Sequence, residues 1–180
     1  MAEDVERGFF DRLRSLPIPR TAVMAGRALA DTALNGWSLA LTTAIGFAVG
    51  FRLHGSLLAG LAAFCLCVLY GFAVEWVFIL MGLVAGNAQA AQGMSLVVFP
   101  FSFVSSAYIP VATMPSWLRG FAGNQPITVM VNAVRALCEG PSEQAVLHHS
   151  AAHFVVLSLV WTAGIILVFA PLAVARFGRR

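Results

Sequence analysis

Residues 57–85 form an apolar run that is too long for an ordinary buried helix. A helix of that length, rising about 1.5 Å per residue, exceeds the ~30 Å hydrocarbon core of a bilayer. Similar runs cover residues 28–51, 94–111 and 154–174. The chain is 59% hydrophobic and 11% charged, whereas an ordinary soluble domain is about one quarter charged. The sequence therefore predicts an all-α integral membrane bundle of four transmembrane helices, forming a single membrane domain over 1–180.

The distribution of arginine predicts how this bundle lies in the membrane. All eleven basic residues are arginine. Eight of them precede the first predicted span or follow the last, and the other three are Arg52, Arg119 and Arg135. Cytoplasmic segments of membrane proteins carry an excess of positive charge, so we expect a multi-pass protein of a bacterial plasma membrane with both termini cytoplasmic. The sequence has no basic face interleaved with aromatic residues, which is the pattern that would indicate nucleic-acid binding.

Polar residues inside the predicted spans are candidates for function because they are costly in lipid. A carboxylate at Glu75 costs about 2.5–3.5 kcal/mol on insertion scales, so it should face other helices or a wet cavity. It is either a carboxyl group hydrogen-bonded within the bundle or a substrate or proton site. Pro100 predicts a bend in the third span, near the hydroxyl groups of Ser105 and Ser106.

The segment after the third span predicts short helices at one membrane face. Pro110 and Pro115 end the span, and an amphipathic piece at 116–122 follows. A break at 123–126, which includes Pro126, separates this piece from a second helical pattern. Membrane proteins place such short helices where they lie on, or dip into, one face of the bilayer. We therefore expect residues 112–140 to form an extracytoplasmic hinge with short re-entrant helices.

The second helical pattern, 127–137, carries the polar residues Asn132 and Arg135. Arg135 and Glu139 are four residues apart and can pair on one helix face. After this pattern, residues 141–144 are expected to form a loop.

The N-terminal segment 3–27 is polar enough to lie outside the bilayer. Within it, residues 3–16 alternate apolar and charged positions at helical spacing. Pro17 and Pro19 end this helix because proline removes a backbone donor. The segment either lies on the lipid surface or contacts a cytoplasmic partner.

Motifs that would indicate an enzyme are weak. His149 and His153 are separated by one helical turn, but Ser150 stands where a zinc protease needs glutamate beside its first histidine. With His148 they form either an interfacial cluster or an intramembrane metal site, and the first reading is preferred, with no metal expected. The chain has no phosphate-binding loop of the G-x-x-x-x-G-K-[ST] type. We therefore expect neither ATP hydrolysis nor a cofactor in this chain.

Four short motifs in the second half of the chain resemble one known family. They are SSAYIP at 105–110, MPSWL at 114–118, NQPIT at 124–128 and VNAVRAL at 131–137. Their order and spacing together are similar to the signature of type-2 ATP-binding-cassette (ABC) export permeases, in the daunorubicin-resistance-like branch. This chain departs from the family's Asn-Pro pair, because Gln125 separates the two residues. The resemblance covers essentially the whole chain, but the family has six spans and the first two are lacking here.

The resemblance implies a permease subunit that exports a drug, lipid or other amphipathic compound. A separate ABC ATPase subunit would bind ATP and magnesium, and the permease would act as a homodimer or with another permease chain. The residues that would couple to the ATPase are Phe9, Phe10, Leu13, Arg14, Leu16, Pro17, Pro19, Asn87 and Gln89. The residues that would line or gate the pathway are Glu75, Pro100, Ser105, Ser106, Pro110, Pro115, Pro126, Asn132 and Arg135. The alternatives are a membrane scaffold that does not transport, a truncated relic of a permease and, less favoured, the intramembrane metalloenzyme.

Overall fold

The computed structural model describes residues 20–85, 87–96 and 98–178, and all regular structure in these ranges is helical. The eight α-helices, which we number in chain order, are α1 (Arg20–Val49), α2 (Leu57–Ala85), α3 (Ala88–Leu96), α4 (Val98–Phe103), α5 (Ser116–Asn124), α6 (Pro126–Cys138), α7 (Pro141–Leu147) and α8 (Ala151–Gly178). A 3₁₀ turn, Val111–Thr113, precedes α5.

Three of these helices are long and apolar enough to cross a membrane. The spans are Ala25–Val49 in α1, Leu57–Ala85 in α2 and Ala151–Phe177 in α8. They match three of the four predicted spans, and the chain is a multi-pass helical membrane protein.

The predicted third span, 94–111, has a different structure. Helix α3 has nine residues and α4 has six, so neither crosses a bilayer by itself. After α4, the amide of Val104 donates to the carbonyl oxygen of Pro100 at 3.1 Å. The chain then turns through 104–110 without forming a further α-helix. A continuous fourth span is therefore not confirmed.

Helix α2 is the centre of the bundle, because it packs against α1, α6 and α8. At one end, Trp76, Ile79 and Leu83 of α2 are buried against Ala28 of α1 and Phe177 of α8. Towards the other end, a second apolar cluster joins α2 to α6 and α8. Its buried members are Leu66, Met130, Ala133, Ala136 and Phe154.

Helix α1 is much less covered than its two companions. None of the apolar window that marks α1 as a span is buried. Leu34, Trp37 and Val49 are 67%, 72% and 84% exposed. In a bilayer these side chains face lipid or another helix.

The two short helices predicted after the third span are present with small shifts in their ends. Helix α5 extends to Asn124, and α6 begins at Pro126. Gln125 alone separates them and has an extended backbone, with φ −67° and ψ 150°. Pro126 occupies the first turn of α6, where a missing amide donor costs nothing.

The loop expected at 141–144 was a wrong prediction. These residues begin helix α7, which Pro141 opens from its first turn. Gly140 before it has φ 73°, and His148 after it has φ 55°. Proline fits the first turn of a helix, so Pro141 is compatible with a helix that begins here.

Candidate functional site

A buried polar network ties the turn after α4 to helix α6. The backbone amide of Ser106 donates to the Thr128 hydroxyl oxygen at 3.1 Å. The Ser106 hydroxyl donates to the side-chain oxygen of Asn132 at 2.9 Å. Thr128 is fully buried, and Asn132 is only 8% exposed. Because buried polar groups without partners cost free energy, these bonds fix the turn on α6.

Ser105 and Gln125 extend the network at its two ends. The Ser105 hydroxyl donates to the carbonyl oxygen of Ser102 at 2.6 Å. Its oxygen also accepts from the amide of Ala107 at 3.3 Å, which closes the turn. The side-chain Nε2 of Gln125 donates to the Thr128 hydroxyl oxygen at 3.4 Å. The residue between α5 and α6 is thus joined to the same network as the turn after α4.

The predicted hinge prolines lie at helix boundaries around this network. Pro110 precedes the 3₁₀ turn, and Pro115 precedes α5, where its carbonyl oxygen accepts from the amides of Leu118 and Arg119. Pro100 lies inside α4, and Pro126 starts α6. Pro110, Pro115 and Pro126 therefore each mark the start of a helical element, whereas Pro100 lies within one.

Glu75 belongs to a separate cluster of charged side chains, which lies between the middle of α2 and the end that meets α3. Arg27 Nε donates to the Asp31 carboxylate at 2.7 Å within α1. Across the gap from α1, the Glu75 carboxyl group interacts with both Asp31 and Arg27. These three side chains and Ala91 of α3 border a cavity of about 210 Å³.

The predicted coupling residues Asn87 and Gln89 lie where α3 begins. The Asn87 side-chain oxygen accepts from the amide of Ala90 at 2.7 Å, so Asn87 caps the helix. Asn87 and Gln89 are both exposed, and α3 packs against α2. The other coupling residues, Phe9, Phe10, Leu13, Arg14, Leu16, Pro17 and Pro19, lie outside the described residues.

The opposite end of α2 is tied to the end of α6. The backbone amides of His54 and Gly55 both donate to the carbonyl oxygen of Cys138, at 3.0 Å each. His54 Nδ1 also lies 3.1 Å from the Glu139 carboxylate. The structure thus pairs Glu139 with His54, whereas the sequence suggested Arg135. Burial, with a smaller effect of the Glu139 charge, raises the pKa of the Cys138 thiol.

The predicted pathway residues therefore fall into three places rather than one. Ser105, Ser106 and Asn132 meet in the buried network, Glu75 lies in the charged cluster, and Arg135 lies on α6 near the tie to α2. Sequence reasoning missed Thr128, Gln125, Arg27, Asp31 and His54 as their partners. Only the Arg27–Asp31 pair had a readable signal, because its four-residue spacing places both side chains on one helix face.

The histidine cluster provides no metal site in the part of the chain that the structure describes. The rings of His149 and His153 stack with centroids 4.4 Å apart. Among the described residues, no group of three or more metal-ligating side chains is close enough to hold an ion.

Comparison with known proteins agrees with this architecture. Residues 1–138 match the ABC-2 type transporter family, and the chain belongs to that family of membrane permeases. It is 33% identical over 171 residues to the daunorubicin resistance ABC transporter permease protein DrrB1 of Streptomyces coeruleorubidus, which covers 94% of this chain and 57% of that protein. It is 27% identical over 168 residues to DrrC of Mycobacterium tuberculosis, named as a probable doxorubicin resistance ABC transporter permease, covering 93% of this chain and 58% of that protein.

The chain thus spans a little under three fifths of the length of these relatives. No solved structure gives a significant match.

Proposed function

We propose that this chain is a transmembrane permease subunit of an ABC exporter, which moves a drug, lipid or other amphipathic compound out of the cell. A separate ATPase subunit would bind and hydrolyse ATP with magnesium. The observation that carries the proposal is the family match over residues 1–138, together with relatives named for drug resistance. The scaffold and metalloenzyme alternatives have no comparable support.

In this proposal, helices α5 and α6 form a re-entrant hairpin that enters from the outer face. The C-terminal end of α6 is bonded to residues 54 and 55, beside the first turn of α2. Its N-terminal end at Pro126 borders the same cavity as Tyr70 and Val74, near the middle of α2. Helix α6 is therefore antiparallel to α2, and its 13 residues extend about 20 Å along it.

Exposed aromatic residues support an outer interface near α5. Trp117 at the start of α5 is 79% exposed, and Tyr108 in the preceding turn is 68% exposed. Tryptophan and tyrosine are enriched where a membrane meets water. In this placement the end of α2 that meets α3 faces the cytoplasm, both chain termini are cytoplasmic, and α3 and α4 form a broken fourth crossing.

The buried network of Ser106, Thr128 and Asn132 would hold the outer gate closed. Opening the hairpin separates the turn after α4 from α6, and so breaks the two bonds that Ser106 makes with α6. Hydrogen bonds between helices in membranes contribute about 0.6–2 kcal/mol each. The network is therefore strong enough to favour one state and weak enough for ATP-driven movement to break.

The cytoplasmic side would receive the ATPase through two surfaces. One is the N-terminal segment with Phe9 and Leu13, and the other is the exposed start of α3 with Asn87 and Gln89. Helix α3 contributes Ala91 to the cavity of the charged cluster, so a push on α3 would reach α1 and α2 directly. Two permease chains, identical or different, would assemble with the ATPase.

The experiment that tests this function is co-purification with the ATPase encoded beside the gene, followed by ATP hydrolysis in lipid. We expect a stable complex whose hydrolysis rate depends on the permease. The variant Phe9→Asp should break the complex, because it places a charge on the apolar face of the N-terminal segment, and Phe9→Leu should preserve it. Absence of any complex with the unaltered chain would favour the scaffold or relic instead.

A further inference from the structure

A cavity of about 560 Å³ lies between α2, α8 and the junction of α5 with α6. Tyr70, Val74 and Val77 form one wall, because their spacing places them on one face of α2. Trp161 and Ile165, one turn apart, form the facing wall on α8. The cavity volume is within the range of pockets that bind small molecules, about 300–1,000 Å³.

The cavity lies at mid-depth in the bundle. Tyr70 and Val74 are close to the midpoint of the α2 span, Leu57–Ala85. Trp161 and Ile165 are close to the midpoint of the α8 span, Ala151–Phe177. Trp161, which borders the cavity, is 39% exposed, and at this depth the bundle is surrounded by hydrocarbon. A ligand would reach it from the bilayer and not from water.

The lining selects for uncharged aromatic molecules. None of the residues that border the cavity is charged. Four of its side chains are aromatic: Tyr70, Phe78, Phe121 and Trp161. Ring pairs contribute about 0.5–1.5 kcal/mol beyond their buried area, while an ion in such a site would lack any counter-charge. Asn124, at the inner end of α5, provides a side-chain amide oxygen for one polar substituent, while its amide nitrogen donates to the carbonyl oxygen of Gly120.

We propose that this cavity binds a neutral, flat aromatic molecule taken directly from the bilayer core. The binding itself does not depend on the proposed export function. If that function is correct, the cavity is a loading site beside the hinge, because Gln125 and Pro126 border it and Gln125 contacts Thr128 of the buried network. A ligand there touches the residues that must move when the hairpin opens.

The test uses two single-tryptophan proteins, made from the full chain and reconstituted in lipid nanodiscs without any ATPase. One keeps Trp161 and the other keeps Trp37, which is 72% exposed on α1. Both carry the same Trp76→Phe and Trp117→Phe substitutions, so the two proteins differ only at positions 37 and 161. The probe is 1-bromonaphthalene, a neutral heavy-atom quencher that acts at short range, compared with a bromonaphthalene that carries an ammonium group.

We expect saturable quenching of Trp161 by 1-bromonaphthalene and a linear, unsaturable response of Trp37 from partitioning into lipid. The charged probe should give the linear response at both positions. Filling the cavity with Val74→Phe should raise the half-saturation concentration about tenfold. Val156→Phe, on α8 where Val156 is 59% exposed, should change it less than about twofold.

Three outcomes would overturn the proposal. Linear quenching of Trp161 would show that the cavity holds no aromatic ligand. Equal saturation by the charged probe would contradict the selection for neutral molecules. If phospholipids brominated on their acyl chains quench Trp161 preferentially and 1-bromonaphthalene does not displace them, the cavity is a lipid groove. Loss of ATPase coupling or transport would leave these binding results unchanged, so the two proposals fail separately.

Discussion

The hydrogen bond between Ser106 and Asn132 offers the most direct test of the buried network. Ser106→Ala removes the hydroxyl that donates to the Asn132 side-chain oxygen at 2.9 Å. The Ser106 backbone amide keeps its bond to Thr128, so the chain path should persist. Because Asn132 is 8% exposed, water reaches its orphaned carbonyl oxygen poorly.

The expected cost follows from leaving one buried acceptor without its donor. Such groups cost about 1–3 kcal/mol in proteins, and membrane measurements place interhelical hydrogen bonds at about 0.6–2 kcal/mol. We therefore expect the docked turn to lose about 1–2 kcal/mol relative to the opened one. That corresponds to an opening equilibrium raised about five- to thirtyfold.

Hydrogen–deuterium exchange of the purified chain in nanodiscs measures this opening. Peptides that cover 104–110 should exchange about five- to thirtyfold faster in Ser106→Ala. Thr128→Val should act in the same direction, because it removes the acceptor of the Ser106 amide, and Thr128→Ser should stay within about twofold. Peptides from the core of α2 serve as the internal control. Unchanged exchange at 104–110, or equal acceleration throughout the protein, would show that the network does not hold the turn on α6.

Three further outcomes test the ties at the two ends of the bundle. Gly55→Ala should lower stability by about 1–3 kcal/mol, because a Cβ there collides with a carbonyl oxygen at the end of α6. Gly164→Ala should not lower the stability, because a Cβ at Gly164 meets no atom within 4 Å. Thermal unfolding in detergent compares the two variants. Equal losses of stability would exclude the close contact at Gly55. Arg27→Gln should destabilise the protein by about 1 kcal/mol, because it leaves the carboxyl groups of Asp31 and Glu75 facing each other. Glu75→Gln should be neutral or stabilising. The reverse order of the two variants in thermal unfolding would contradict the charged cluster. Cys138 should react with maleimide more slowly than glutathione does at neutral pH, because its raised pKa lowers the thiolate fraction. Its reaction rate should increase as the pH rises, which labelling rates between pH 6 and 9 check. A rate equal to that of glutathione would show that the thiol is not shielded.

Three long helices and two short ones could be predicted from the sequence with nearly the right ends. Their signals are local: apolar length for α1, α2 and α8, and proline punctuation for α5 and α6. The same kind of reading produced a continuous span at 94–111 and a loop at 141–144. The first difference arises where α4 ends at Phe103 and the chain turns onto α6. Pro141 explains the second, because proline can end a helix or occupy its first turn, and only the surrounding structure decides which.

The candidate site was predictable in its residues but not in its arrangement. Ser105 and Ser106 stood out as hydroxyl groups in an apolar span, Asn132 was implied by the family resemblance, and the three lie in one network. Thr128 joins them over 22 residues of sequence from Ser106, a distance that no helical periodicity connects. Glu75 was picked because a carboxylate is costly in lipid, and its partner Asp31 lies on another helix.

The sequence by itself determined that this is a helical membrane protein, which family it resembles, and where its long apolar helices lie. These properties follow from residue type and short-range spacing, since lipid requires each spanning segment to satisfy its own backbone hydrogen bonds. Only the tertiary structure decided that α6 packs antiparallel to α2, that Glu139 pairs with His54, and that a neutral aromatic cavity lies at mid-depth. Those features depend on contacts between segments distant in the chain, where packing and burial select the partner.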